Sequence, residues 1–211
     1  MLDFSLGQKI ILWIIPLLFA ITVHETAHAW VAYQCGDATA KWLGRLTLNP
    51  VKHIDPVGTI LVPAVLFFLG GFIFGWAKPV PIVWKNLKNK RRDMALVAVA
   101  GPLSNLLMAI FWVLIIKIAT YFHSSPFIYM GQVGVSINLL LMLLNFLPIP
   151  PLDGSRVLAS LLSPALAYRF AHLENYGFII LVLLLTSGLL SRLMAPILQA
   201  LIVGFFNLFG L

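Results

Sequence analysis

The sequence predicts an all-α integral membrane protein with about five to six transmembrane helices. Three observations carry this expectation. Hydrophobic residues make up 61% of the 211 residues and charged residues 10%, whereas a soluble domain carries about 25% charged residues. That is too little charge to cover a water-facing surface. The apolar residues are gathered into runs long enough to cross a bilayer. Ionisable residues nevertheless fall inside two apolar stretches, where they are costly and functional by default.

The elements follow in order. Residues 9–34 form the first long apolar run and end in His24, Glu25 and His28. Residues 36–56 are mixed, with Gly36, Asp37, Asn49, Pro50, His53, Asp55 and Pro56, and read as turns and short extended pieces. Residues 57–75 are apolar but broken by Pro63 and Gly70-Gly71. Residues 76–93 are the most basic stretch, with six Lys or Arg against Asp93 alone. Apolar runs return at 94–120, 127–148, 174–190 and 193–211, with a Pro-rich break at 148–151 and a shorter run at 157–168. With no repeat or linker, the expectation is a single domain over 1–211, its core at about 9–165 and a C-terminal helical hairpin at about 170–211. The length leaves no room for an added soluble sensor domain. Asp3 breaks a positive N-terminal region, and no small-residue cleavage pattern follows the first run, so no cleavable signal peptide is expected.

The formal net charge is +7. No basic run is interleaved with aromatics in the manner of a nucleic-acid groove, so no nucleic-acid partner is expected. Basic loops on the cytoplasmic face of a bilayer account for the excess. The single cysteine, Cys35, excludes an internal disulfide and any multi-cysteine metal site.

Chemistry concentrates in His24-Glu25-Thr26-Ala27-His28. Residues four apart on a helix lie one above the other, so both imidazoles address one point. Glu25, one residue on, reaches a water at that point without ligating the metal. HExxH on a helix is a zinc metalloprotease pattern. Zinc of this kind takes a third protein ligand and keeps its fourth position for water. Of the remaining carboxylates, only Asp153 lies in an apolar and interrupted segment, Asn145-Phe146-Leu147-Pro148-Ile149-Pro150-Pro151-Leu152-Asp153-Gly154. The prolines break the helix, and a broken helix at membrane depth aims polar groups inward. Asp153 reads either as the third ligand or as the N-cap of a helix over 155–163; beside HExxH the ligand reading is favoured.

The chain resembles the site-2 proteases, intramembrane zinc metalloproteases. The resemblance rests on His24–His28, on the NxxPxPxxDG pattern from Asn145 to Gly154, on Gly101-Pro102-Leu103-Ser104-Asn105, and on the stretches 48–58 and 75–82. It covers about residues 10–165, and the last two stretches resemble the compact bacterial branch without PDZ or CBS domains. It implies one Zn2+ per chain held by His24, His28 and Asp153, with Glu25 as general base. It also implies a multi-pass enzyme of the cell inner membrane that cuts transmembrane segments of other proteins.

Other polar residues have two readings each. Asn105 and Asn145 either bond helix to helix or orient substrate or groups beside the zinc. His53 is either a turn residue or an oxyanion stabiliser. Lys117, His123 and His172 suit the membrane interface. A buried transmembrane helix hides its carbonyls, so a substrate must unwind before attack. The stretch 77–84, with Pro79 and Pro81, is a candidate edge strand to hold it, which places a re-entrant loop or β-hairpin element near the active site. A gluzincin-like site using Glu174 lacks a partner motif. A membrane metal-binding or transport protein without hydrolytic activity is the alternative from another class, but it has no need of Glu25 beside the first ligand.

Ligand depth constrains topology. His24, His28 and Asp153 are all late in their crossings, so their helices should be parallel and an odd number of crossings should separate them. Two apolar segments intervene, 57–75 and 94–120. The expectation is that 57–75 enters and leaves by one face, turning at Gly70-Gly71. The basic loop 76–93 then lies in the cytoplasm and the N-terminus outside.

Overall fold

The computed structural model describes residues 4–62, 65 and 75–211. Helix α1 spans Leu6–Gln34. Its start is set by a capping box: Ser5 Oγ accepts from the Gln8 amide, and the Gln8 side chain accepts from the Ser5 amide. A short helix α2, Thr39–Trp42, follows. Helix α3 spans Lys90–Tyr121 and is closed at its start by a reciprocal pair, Arg92 N–H to Asn89 Oδ1 and Asn89 N–H to Asp93 Oδ2. Helix α4 is Ser125–Asn145, α5 is Asp153–Leu161, α6 is Pro164–His172, α7 is Glu174–Thr186 and α8 is Leu189–Phe209.

Among the described residues, α1, α3, α4 and α8 are long and apolar enough to cross a membrane, and the α6–α7 pair, bent by 57°, makes a fifth crossing if taken as one span. The protein is an all-α, multi-pass membrane protein. Its exposed surface is rich in Leu, Ile, Phe and Trp, from Leu6 and Ile11 on α1 to Leu208 on α8, as lipid solvent requires.

Contacts fix the helix directions. Trp13 Nε1 donates to Tyr129 Oη, and Ala20 packs with Val133 and Ile137. Position numbers rise together, so α1 and α4 run parallel. Asn105 meets Ala20 and His24, whereas Val97 meets His28, so α3 runs antiparallel to α1. Helices α3 and α4 approach closely because glycines face bulky partners. A Cβ on Gly134 would lie 2.3 Å from Trp112 Cδ2, and one on Gly131 would lie 2.4 Å from Ile116 Cγ1. Small residues at such contacts are how membrane helices gain packing where apolar burial alone offers nothing. The resulting core, Ala109, Trp112, Val113, Ile116, Met130, Val135 and Leu139, is covered by Phe205, Phe206 and Phe209 of α8.

The chain leaves α1 and enters α3 at one place, where the Lys88 amide donates to Cys35 O at 3.0 Å. The turn expected at Gly70-Gly71 and the break at Pro63 lie outside the described residues. No strand occurs among the described residues, and the edge strand expected over 77–84 is instead an irregular strap at 75–83 followed by a 3-10 turn, Trp84–Asn86. The physical reason is visible in its donors. Pro79 and Pro81 have none. The Lys78 amide goes to His53 O, the Val80 amide to Glu25 Oε2 and the Val83 amide to Asp37 Oδ2. No ladder can form from amides committed to three different places.

Candidate active site

Two turns before its end, α1 places His24 and His28 one above the other. Their ring centroids are 4.6 Å apart and the planes cross at 83°, and both residues are buried. Each ring is held by its Nδ1. His24 Nδ1 donates to Asn105 Oδ1 at 2.6 Å, and His28 Nδ1 donates to Val97 O at 2.7 Å. A carbonyl oxygen only accepts, so each Nδ1 carries a proton, and in the neutral ring Nε2 is then the nitrogen with the lone pair. The two Nε2 atoms are 3.0 Å apart, and Asp153 Oδ2 lies 3.2 Å from both.

Two Nε2 atoms and a carboxylate oxygen thus converge on one point. With both rings neutral, three lone pairs meet there, and that arrangement is repulsive unless a cation, a metal ion or a proton, occupies the point. Ligands about 2.0 Å from a tetrahedral zinc stand roughly 3.3 Å from one another, close to the spacing seen. His24, His28 and Asp153 therefore form a group that fits a metal ion. Asp153 opens α5, but its side chain gives the helix no cap bond. Its carboxylate is turned to the histidines instead. Gly154 lets it do so, since a Cβ there would fall 2.4 Å from Phe146 O and 2.5 Å from Leu147 O. Gly101 of α3 backs the cluster from the other side: a Cβ at this position would lie 2.3 Å from His28 Nε2 and 2.5 Å from His24 Cε1.

The other candidates are placed as follows. Glu25 accepts the Val80 amide on Oε2 at 2.8 Å. Asn105, fully buried, joins His24 to a second buried amide: its Nδ2 donates to Asn138 Oδ1 at 3.0 Å and to Ala20 O at 3.3 Å, and Asn138 Nδ2 donates to Gly134 O. Asn145 Nδ2 donates to Leu141 O one turn back on its own helix. His53 is buried and donates from Nε2 to Thr47 O, an oxygen that also lies 2.7 Å from the Thr26 hydroxyl of the motif. It ties the 47–53 turn to α1. Glu174 pairs with Arg156 and is no part of the cluster. Sequence reasoning noticed Gly101 only as part of the 101–105 motif and missed Val97 O and Asn138. A signal existed for Asn138, an amide in the middle of an apolar run; Val97 contributes only backbone and carries none.

Residues 12–127 match the family described as Peptidase family M50. The chain belongs to peptidase family M50. Among curated relatives, one with the provisional name zinc metalloprotease YwhC from Bacillus subtilis (strain 168) is 41% identical over 194 residues, covering 89% of this chain and 85% of the relative. The provisionally named zinc metalloprotease Rip2 of Mycolicibacterium smegmatis is 33% identical over 190 residues, 86% of this chain and 69% of that protein. The provisionally named zinc metalloprotease MJ0611 of Methanocaldococcus jannaschii is 40% identical over 137 residues, 64% of this chain and 62% of the relative. No solved structure gives a significant match. Membership of M50 makes the protein a membrane zinc metalloprotease with Zn2+ as its cofactor, and it decides against the transport alternative.

Proposed function

We propose that His24, His28 and Asp153 hold one zinc ion, and that Glu25 is the general base for hydrolysis of peptide bonds within or near transmembrane segments of other membrane proteins. The reading rests on the meeting of two imidazole nitrogens and a carboxylate oxygen at 3.0–3.2 Å beside a glutamate one residue from the first of them. Residues 1–211 act as one membrane-embedded catalytic domain in the cell inner membrane.

Bound at this point, zinc acidifies water toward a pKa of about 7 and polarises a carbonyl. The chain's own residues do the rest. Asn105 and the Val97 carbonyl hold the imidazoles in the tautomer that leaves Nε2 free. Glu25 accepts the proton of the attacking water and returns it to the leaving amine. Asp153 is the more accessible of the three donors, its side chain 21% exposed against 10% for His24 and 8% for His28, so water and peptide reach the cluster from its side. A helical substrate must expose a carbonyl there, which requires local unwinding.

Metal analysis together with a cleavage assay on a single-pass membrane protein tests this. One zinc per chain should be lost on changing His24, His28 or Asp153 to Ala. Glu25→Gln should keep zinc and lose cleavage. Full zinc in Asp153→Ala, or cleavage surviving in Glu25→Gln, would defeat the assignment.

A further inference from the structure

The strap at 75–83 is pinned at three places around Val80. Lys78 N–H donates to His53 O at 3.0 Å. Arg45, itself buried, donates from Nη2 to Lys78 O at 2.7 Å, with Pro79 O at 3.4 Å. Val83 N–H donates to Asp37 Oδ2 at 2.7 Å. The Val80 side chain is buried with Ala29 on the motif helix and Ala40 on α2. In the run Pro79-Val80-Pro81 only Val80 has an amide hydrogen. That one donor, held by anchors on both sides, is given to Glu25 Oε2. A free carboxylate on a helix swings through several rotamers, and a hydrogen bond to a charged group is among the stronger ones available to a side chain.

We propose that the Val80 backbone amide is a positioning group for catalysis: it fixes the Glu25 carboxylate through Oε2, so that Oε1 is the oxygen that takes and returns the proton. The two flanking prolines serve this by removing competing donors and stiffening the strap. The loop between α1 and α3 thereby sets the aim of the base without touching the metal ligands. The inference rests on Glu25 being the general base.

The test replaces the amide alone. Val80 is exchanged for its α-hydroxy acid, which turns the N–H into an ester oxygen, and Val80→Pro is made beside it. Loss of a hydrogen bond to a charged group should lower kcat about 10- to 100-fold in the hydroxy-acid and Val80→Pro proteins. KM should stay within about threefold and zinc at one per chain, because substrate binding and ligands are untouched. In the zinc-free protein, exchange of the Val80 amide hydrogen should speed up when Glu25 is changed to Ala. Full kcat in the hydroxy-acid protein or unchanged exchange would each overturn the proposal. If Glu25→Gln still cleaves, the general-base reading falls and takes this one with it. If Glu25 is essential and the hydroxy-acid protein is fully active, only the positioning role falls.

Discussion

At the scale of single residues, burial sharpens each requirement. Asn105 accepts from one histidine and donates to two oxygens, so its orientation is fixed from both ends. Replacing it with Asp keeps an acceptor for His24, whereas Leu removes it. Asn105→Leu should therefore weaken zinc binding about 10- to 100-fold, measured by competition with a chelator, while Asn105→Asp stays much closer to the wild type. Gly101→Ala offers a sharper contrast. In an ordinary helix interior that change favours the helix by about 1 kcal/mol. Here its methyl would occupy the space beside His28 Nε2, so helicity by circular dichroism should hold while zinc stoichiometry falls. The histidine pair was legible in the sequence because its geometry is local: four residues on a helix decide it. Asp153 was legible as a candidate because prolines announce a broken helix. Asn138 stood out only as an amide in an apolar run; its meeting with Asn105 joins positions 33 apart, and only packing of α3 on α4 brings them together. Asn145 drew attention by lying near Asp153 in sequence, yet its amide turns back to Leu141.

Elements carry the next set of constraints. The strap was read from its prolines as an edge strand, and the prolines were the right feature to notice. They exclude a central strand, but they do not create a partner; the Lys78, Val80 and Val83 amides go to His53, Glu25 and Asp37. Asp37 is the outer clamp. Burial alone would raise its pKa, but donation from Thr39, from Asn86 and from the Val83 amide outweighs burial and holds the carboxyl below the usual carboxylate range. A folded-state pKa below the unfolded value of about 3.9 means the clamp adds full stability above that value. The contribution is lost as pH falls through the lower folded pKa. Thermal unfolding followed between pH 6 and pH 3 should show this fall, and Asp37→Asn should flatten it. The Asn variant should also be less stable by about 1–3 kcal/mol, because one carboxamide cannot accept from both Val83 and Asn86 as the carboxylate does.

For the whole molecule, parallel α1 and α4 with antiparallel α3 between them set the membrane topology. The Cys35–Lys88 contact brings the two ends of the 36–87 excursion together. Single cysteines at positions 41 and 88, introduced without Cys35, should therefore react with impermeant reagents from the same face; labelling from opposite faces would contradict the arrangement. The positive-inside rule assigns that face to the cytoplasm, given the six basic residues at 76–93. Apolar run length and loop charge made the long helices readable in advance. The direction of packing was readable only through an argument about ligand depth, because hydropathy alone carries no information on which faces meet.

The split of the cluster along the chain has a consequence for biosynthesis. His28 and Asp153 are 125 residues apart. A nascent chain that has delivered its first helix offers two imidazoles; the carboxylate leaves the ribosome only after α3 and α4 have been made. Until then the growing polypeptide lacks the third donor of the proposed site. A chain that has not yet laid down α3 and α4 therefore cannot assemble it, and competence to cut cannot precede the packing of those helices on α1.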